Sequence, residues 1–172
     1  MYMRPDITLT DDTCTLPKDM TDLLTREQLA DIFEMPANGI EHFHNWSDSD
    51  NLKGYFIWEE DGLSDNRGLF ISIKRNSQYA EYGDDYVIQT VDNLKSLGET
   101  DEYGQNIIYK NLEGLGTSGA YSEISNTYYV QLDNCVLFKL VLNSTIPLDS
   151  QTENSKKVLE IIISSYYNYI GY

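Results

Sequence analysis

The chain has 172 residues, enough for one domain with a full hydrophobic core that needs no metal or staple. Its 28 acidic and 12 basic residues leave a net charge of −16, which repels phosphate backbones and sets nucleic acid and anionic membrane aside as partners. No apolar run reaches the roughly 18 residues that a membrane-spanning helix needs.

The opening stretch MYMRPDITLTDD lacks the apolar core of a signal peptide. It reads either as a cytoplasmic start or as the replacement of a removed leader. Residues 1–21 are polar, carry Pro5 and Pro17, and are expected to form an N-terminal arm that Cys14 can pin. A single domain is expected over 22–172. It begins with LLTREQLADIF, where Thr25 and Gln28 have the spacing of a capping box and Leu24 and Leu29 that of a hydrophobic staple. Leu29, Ile32 and Phe33 give the helix one apolar face, and Met35-Pro36 ends it. Residues 37–51 read as a polar loop. LKGYFIWEE (52–60) and LFISIKR (69–75) read as a hairpin joined by a long turn from Asp61 to Gly68. Leu69, Ile71 and Ile73 share one face of the second strand, and Phe70, Ser72 and Lys74 the other.

From Tyr82 to Leu97 the apolar period becomes helical, through Val87, Val91, Leu94 and Leu97. Asp84 and Asp85 suit its N-terminus, and Gly98 its stop. NIIYKNL predicts a short strand, and EGLGTSGAYSE a shaped loop that enters a strand near Ala120–Glu123. The strongest local β signal is NTYYVQLDNCVLFKLVLN. Two apolar runs flank Asp133-Asn134, which predicts a hairpin with a type I′ turn and a second strand central to its sheet. A linker, STIPLDSQTE, leads to a last helix over 152–170. Its stripe is Val158, Leu159, Ile162, Tyr166, Tyr169 and Ile170, widened by Ile161 and Ile163. This order predicts an α+β fold, an antiparallel sheet built from hairpins with helices packed mainly on one face.

No residue pattern singles out a reaction. His42 and His44 lie among Glu41, Asp48 and Asp50, yet the spacing matches no metal motif, and no metal or cofactor is expected. The glycines of EGLGTSG precede no lysine, so they are not a phosphate loop, and Ser118 has no identifiable base. Carboxylates such as Glu59, Glu60, Asp61, Asp84 and Asp85 leave a carboxylate-based hydrolase as an alternative without naming a pair. Cys14 and Cys135 form either a bridge from the arm to the central strand or two separate thiols, Cys135 being buried. The 14 tyrosines build either a core of amphipathic aromatics or a recognition surface. Tyr55, Phe56, Ile57 and Trp58 are consecutive in a strand, so two of them face away from the other two and need a cover of helix, loop or partner.

Cys14 ahead of LLTREQLADIF, followed later by GLGTSGAY (114–121) and its hairpin, resembles small exported bacterial α+β domains, often lipoproteins, of unknown function. The resemblance implies an envelope-facing domain without catalytic residues, with a lipid anchor on a leader absent here. The expectation is therefore a non-enzymatic protein-binding domain of the bacterial cell envelope or periplasm, or a cytoplasmic one if the printed start is native. Its partner is another protein, a basic one by charge. Its expected surface lies in the acidic loops between Glu41 and Arg67, at Glu41, His42, His44, Trp46, Asp48, Asp50, Glu59, Glu60 and Asp61. By size and charge the alternative is an immunity protein that covers a cognate toxin.

Overall fold

The structure, a computed structural model, describes residues 14–60, 63–76 and 86–172, with the backbone alone for residues 44–45, 63–66 and 86–88. The described residues form an α+β fold. Three helices, α1 (Arg26–Phe33), α2 (Tyr86–Ser96) and α3 (Leu148–Tyr169), accompany nine strands. These are β1 (Glu41–Ser47), β2 (Asn51–Glu60), β3 (Leu63–Arg75), β4 (Glu99–Thr100), β5 (Asn106–Ile107), β6 (Lys110–Asn111), β7 (Ser118–Ser122), β8 (Thr127–Leu132) and β9 (Val136–Asn143). Seven of them make one antiparallel sheet in the order β1-β2-β3-β9-β8-β7-β6, while β4 and β5 pair separately. Two meanders, β1–β3 and β6–β9, are thus joined by one long-range pairing, β3 with β9. As its apolar sequence predicts, β9 is the central strand.

The sheet has two unequal faces. The first carries Leu52, Phe56 and Trp58 of β2, Leu69, Ile71 and Ile73 of β3, the even residues 136–142 of β9, and Tyr128, Val130 and Leu132 of β8. All are buried beneath α1, α3 and a 3₁₀ turn at Met20–Asp22. Side chains of this kind each contribute about 1.5–3 kcal/mol when fully removed from water, so this layer dominates stability. Among the described residues, the second face is covered only over its C-terminal half. There Val91 and Leu94 of α2, with Ile107 and Tyr109, pack on Ala120, Tyr129 and Leu137.

Local signals are realised where they are strong. Thr25 Oγ1 accepts from the Gln28 amide, and the Gln28 side chain accepts from the Thr25 amide, closing the capping box of α1. Leu24 and Leu29 are both fully buried beside it. Gly98 ends α2 at φ 73°, where a side chain would strike the Ile107 carbonyl.

Elsewhere the structure corrects the sequence reading. The expected loop at 37–51 contains β1, because its backbone pairs with the free edge of β2 from Glu41↔Ile57 to Ser47↔Leu52. The expected turn at 61–68 is mostly strand. Glu60 pairs with Leu63, and an irregularity after Trp58 absorbs the extra residues of β3. The 133–134 connection is not type I′. Leu132 pairs with Val136, the loop is 133–135, and of Asp133 and Asn134 only Asp133 has positive φ. Cys135 therefore sits in the turn rather than in β9. Helix α3 starts at Leu148, inside the expected linker, and buries Tyr167 in place of Tyr169, which is 46% exposed. Leu97 is likewise exposed, past the end of α2. Asp84 and Asp85 lie outside the described residues.

Candidate interaction surface

The N-terminal half of the second sheet face carries no helix among the described residues. Its side chains come from one strand position in two, and the register stacks them into transverse rows. Phe43 of β1, Tyr55 of β2, Phe70 of β3 and Val141 of β9 are successive partners across four strands. Phe43 is 47% exposed and Tyr55 38%, and the Tyr55 and Phe70 rings lie 4.9 Å apart between centroids. The next row toward the β1–β2 turn is Trp46, Lys53, Ser72 and Lys139. Trp46 is 57% exposed, and the Lys139 ammonium stands 5.5 Å from the centre of the Tyr129 ring, where the covered half begins.

The row on the other side is Glu41, Ile57, Gly68 and Asn143. Gly68 lies at φ 153° and presses on β2, so a Cβ there would come 1.9 Å from the Phe56 carbonyl oxygen. Only glycine fits such an approach. A pocket of about 260 Å³ lies beside it, bounded by Tyr55, Ile57, Phe70, Val141, Arg67 and Asn143. The Arg67 guanidinium donates to Asn143 Oδ1 at 3.0 Å, while its Nε is enclosed and makes no hydrogen bond.

The acidic positions singled out in the sequence do not form one surface. Glu41 and Trp46 stand on the open face. His42 belongs by register to the opposite face, where its ring packs 4.8 Å from Phe56 and lies 3.8 Å from the Asp19 carboxylate. The backbone of His44 pairs with Gly54. Asp48 organises the β1–β2 turn. It accepts from the Trp46 indole at 2.8 Å and from the amides of Asp50 and Asn51, and the Trp46 bond leads these in holding its carboxyl below the usual range. Asp50 is part of this turn, and its carbonyl accepts from the Arg75 amide.

Glu60 acts as an internal tie. Its carboxylate accepts from Ser144 Oγ, from the amide and hydroxyl of Thr145, and from the Trp58 indole, binding β2 to the segment before α3. Burial pushes this carboxyl up, and the four hydrogen bonds outweigh it, leaving its pKa lowered. Glu59 is exposed at the rim, and Asp61 lies outside the described residues. No group of three or more His, Cys, Asp or Glu able to hold a metal occurs among the described residues.

Cys14 and Cys135 are joined by a disulfide across a sequence separation of 121. Both are buried, and Met20 is fully buried beyond them, so the described part of the arm is built into the core. The residues that sequence reasoning missed are Phe43, Lys53, Arg67, Lys139 and Val141. Their signal was present in part, in the alternation Phe70-Ser72-Lys74 and in the pair Tyr55 and Ile57, but only the register aligns four strands into rows.

No protein-family model matches this chain, and no curated protein or solved structure matches it. The described residues contain no helix long and apolar enough to cross a membrane.

Proposed function

We propose that this chain is a non-enzymatic protein-binding domain of the bacterial cell envelope. The observation that carries the reading is the row Phe43–Tyr55–Phe70–Val141, which no helix covers among the described residues, flanked by exposed Trp46. A contiguous aromatic patch on a rigid sheet supplies contact area at little conformational cost, which is how anchor residues of interfaces work. The disulfide supports an oxidising compartment. The likeness of Cys14, LLTREQLADIF and GLGTSGAY to small exported domains supports the envelope in particular.

An immunity protein that covers a cognate toxin is the second reading. The net charge of −16 favours it, since an acidic domain is steered toward a basic partner.

The test is crosslinking in cells that express the tagged full-length gene product, as wild type and as F43S/Y55S/F70S. The expected result is an extracytoplasmic product with a crosslinked protein that the triple variant loses while keeping its far-UV circular dichroism. A wild-type adduct pattern unchanged in the variant would sink the protein-binding reading, and a cytoplasmic wild-type product would sink the envelope assignment.

A further inference from the structure

The open half-face is cationic on a strongly acidic chain. Lys53 and Lys139 flank Ser72 in the row beside the aromatics, Lys74 follows Ser72 on the same side of β3, and Arg67 lines the pocket over Gly68. Three lysines thus share one half of this sheet face, and Arg67, paired by register with Trp58 of the opposite face, reaches it at the pocket. Lys53 makes no ion pair with a described residue, and Lys139 meets the Tyr129 ring rather than a carboxylate. Glu41 and Glu59 stand at one corner, at the β1 start and the β2 end, away from the lysine row. Asp48 is turned into its own hairpin by the Trp46 indole and two amides.

We propose that this half-face binds an acidic protein segment, whose apolar side chain enters the pocket over Gly68 and whose carboxylates meet Arg67, Lys53 and Lys139. The inference rests on the protein-binding reading and names the chemistry of the partner. Charge complementarity decides the sign. A basic segment would set its cations against Lys53, Lys139 and Arg67, and like charges placed together at an interface weaken association. The rest of the chain is acidic, but its field is screened beyond about 8 Å at physiological ionic strength, so the local patch governs docking. The aromatic row between the cations decides the class. A nucleic-acid strand needs a continuous basic track along its backbone, whereas here the apolar row Phe43–Tyr55–Phe70–Val141 separates Arg67 from the lysine row. The pocket, about 260 Å³ and walled by Tyr55, Ile57, Phe70 and Val141, suits one aliphatic or aromatic side chain.

The experiment selects a random phage-displayed peptide library on the full chain, with counter-selection on Y55S/F70S so that only face-dependent binders survive. Synthetic peptides from the selection are then titrated against wild type, K53E/K139E, the milder K53Q/K139Q, and R67A, each checked by circular dichroism for an unchanged fold. The expected peptides are rich in Asp and Glu around an apolar residue, and charge reversal weakens them by about tenfold or more, with neutralisation intermediate. Face-dependent peptides that are neutral or basic, or acidic ones indifferent to K53E/K139E, would overturn the proposal and leave the protein-binding reading standing. Recovery of no face-dependent peptide would overturn both. Phosphatidylglycerol vesicles form a parallel arm. Binding to them that K53E/K139E abolishes, without any acidic peptide selected, would overturn the proposal in favour of a lipid surface.

Discussion

Strands β8 and β2 belong to one sheet and carry similar side chains, yet they live in different environments. In TYYVQL of β8 all six residues are buried. Tyr128 packs into the main core, where its ring stacks near Tyr121, and its neighbour Tyr129 packs under α2 on the other face. In GYFIW of β2, Phe56 and Trp58 are buried while Tyr55 is 38% exposed and Ile57 half-buried. Strand β8 is sandwiched between two helical layers, and among the described residues β2 has only one. A pair of adjacent aromatics in a strand therefore reports that both sides are apolar, and not that both are covered. Where the second layer stops, the apolar side becomes surface, and that boundary separates the scaffold from the proposed recognition surface.

The comparison can be broken by stability measurements. Phe138, fully buried in β9 with its ring edge-on to Tyr166, anchors the doubly covered region. Phe138→Ala is expected to lose about 3–5 kcal/mol in urea denaturation, while Phe70→Ala on the open face loses about 1 kcal/mol or less. Equal losses would mean that the open face is packed in solution and the contrast between the strands is false.

Replacing the disulfide by C14S/C135S sharpens the contrast from the other side. The bridge holds residues 14–20 against the face that both meanders share. Closing a loop of this length is worth about 5 kcal/mol in the chain-entropy estimate, and measured losses for native bridges run at about 2–5 kcal/mol. The double variant should fall in that range by non-reducing denaturation. A change below the scatter of the measurement would show that the arm adds nothing to the scaffold.

The smallest expected effect is at Glu60, which ties the singly covered β2 to the start of α3. Its folded pKa lies below the ordinary glutamate value of 4.5. Its contribution is therefore present above the unfolded value and is lost as pH falls through the folded one. The stability difference between wild type and E60Q should be constant near neutrality and shrink as the pH drops below about 4.5. A difference that grows toward acid would contradict the hydrogen-bonded carboxylate.

Much of the architecture was legible locally. The capping box of Thr25 and Gln28, the staple of Leu24 and Leu29, the alternation of Leu69, Ile71 and Ile73, and the apolar run of β9 are short-range signals, and short-range physics realises them. The strand at Glu41–Ser47 was not legible, because HFHNW is polar enough for a loop and becomes a strand only by pairing with the edge of β2. The turn at Asp133 was misjudged for a related reason. Cys135 is tied to Cys14 and is withdrawn from the ladder, so the loop takes three residues.

The candidate surface divides in the same way. Its chemistry, aromatic and cationic side chains alternating with buried ones, is written into β2 and β3 as a period of two. The acidic positions between Glu41 and Glu60 were equally visible, but residue type could not tell a carboxylate in water from one bound to its own fold, as Asp48 and Glu60 are. By itself, then, the sequence determined which side chains share a face, because backbone geometry imposes that strand by strand. Only the tertiary structure decided which face α2 covers and which it leaves open. The reason is that the described side chains of α2 pack over β7–β9, and the rows across β1, β2, β3 and β9 exist only once the two meanders pair through β3 and β9.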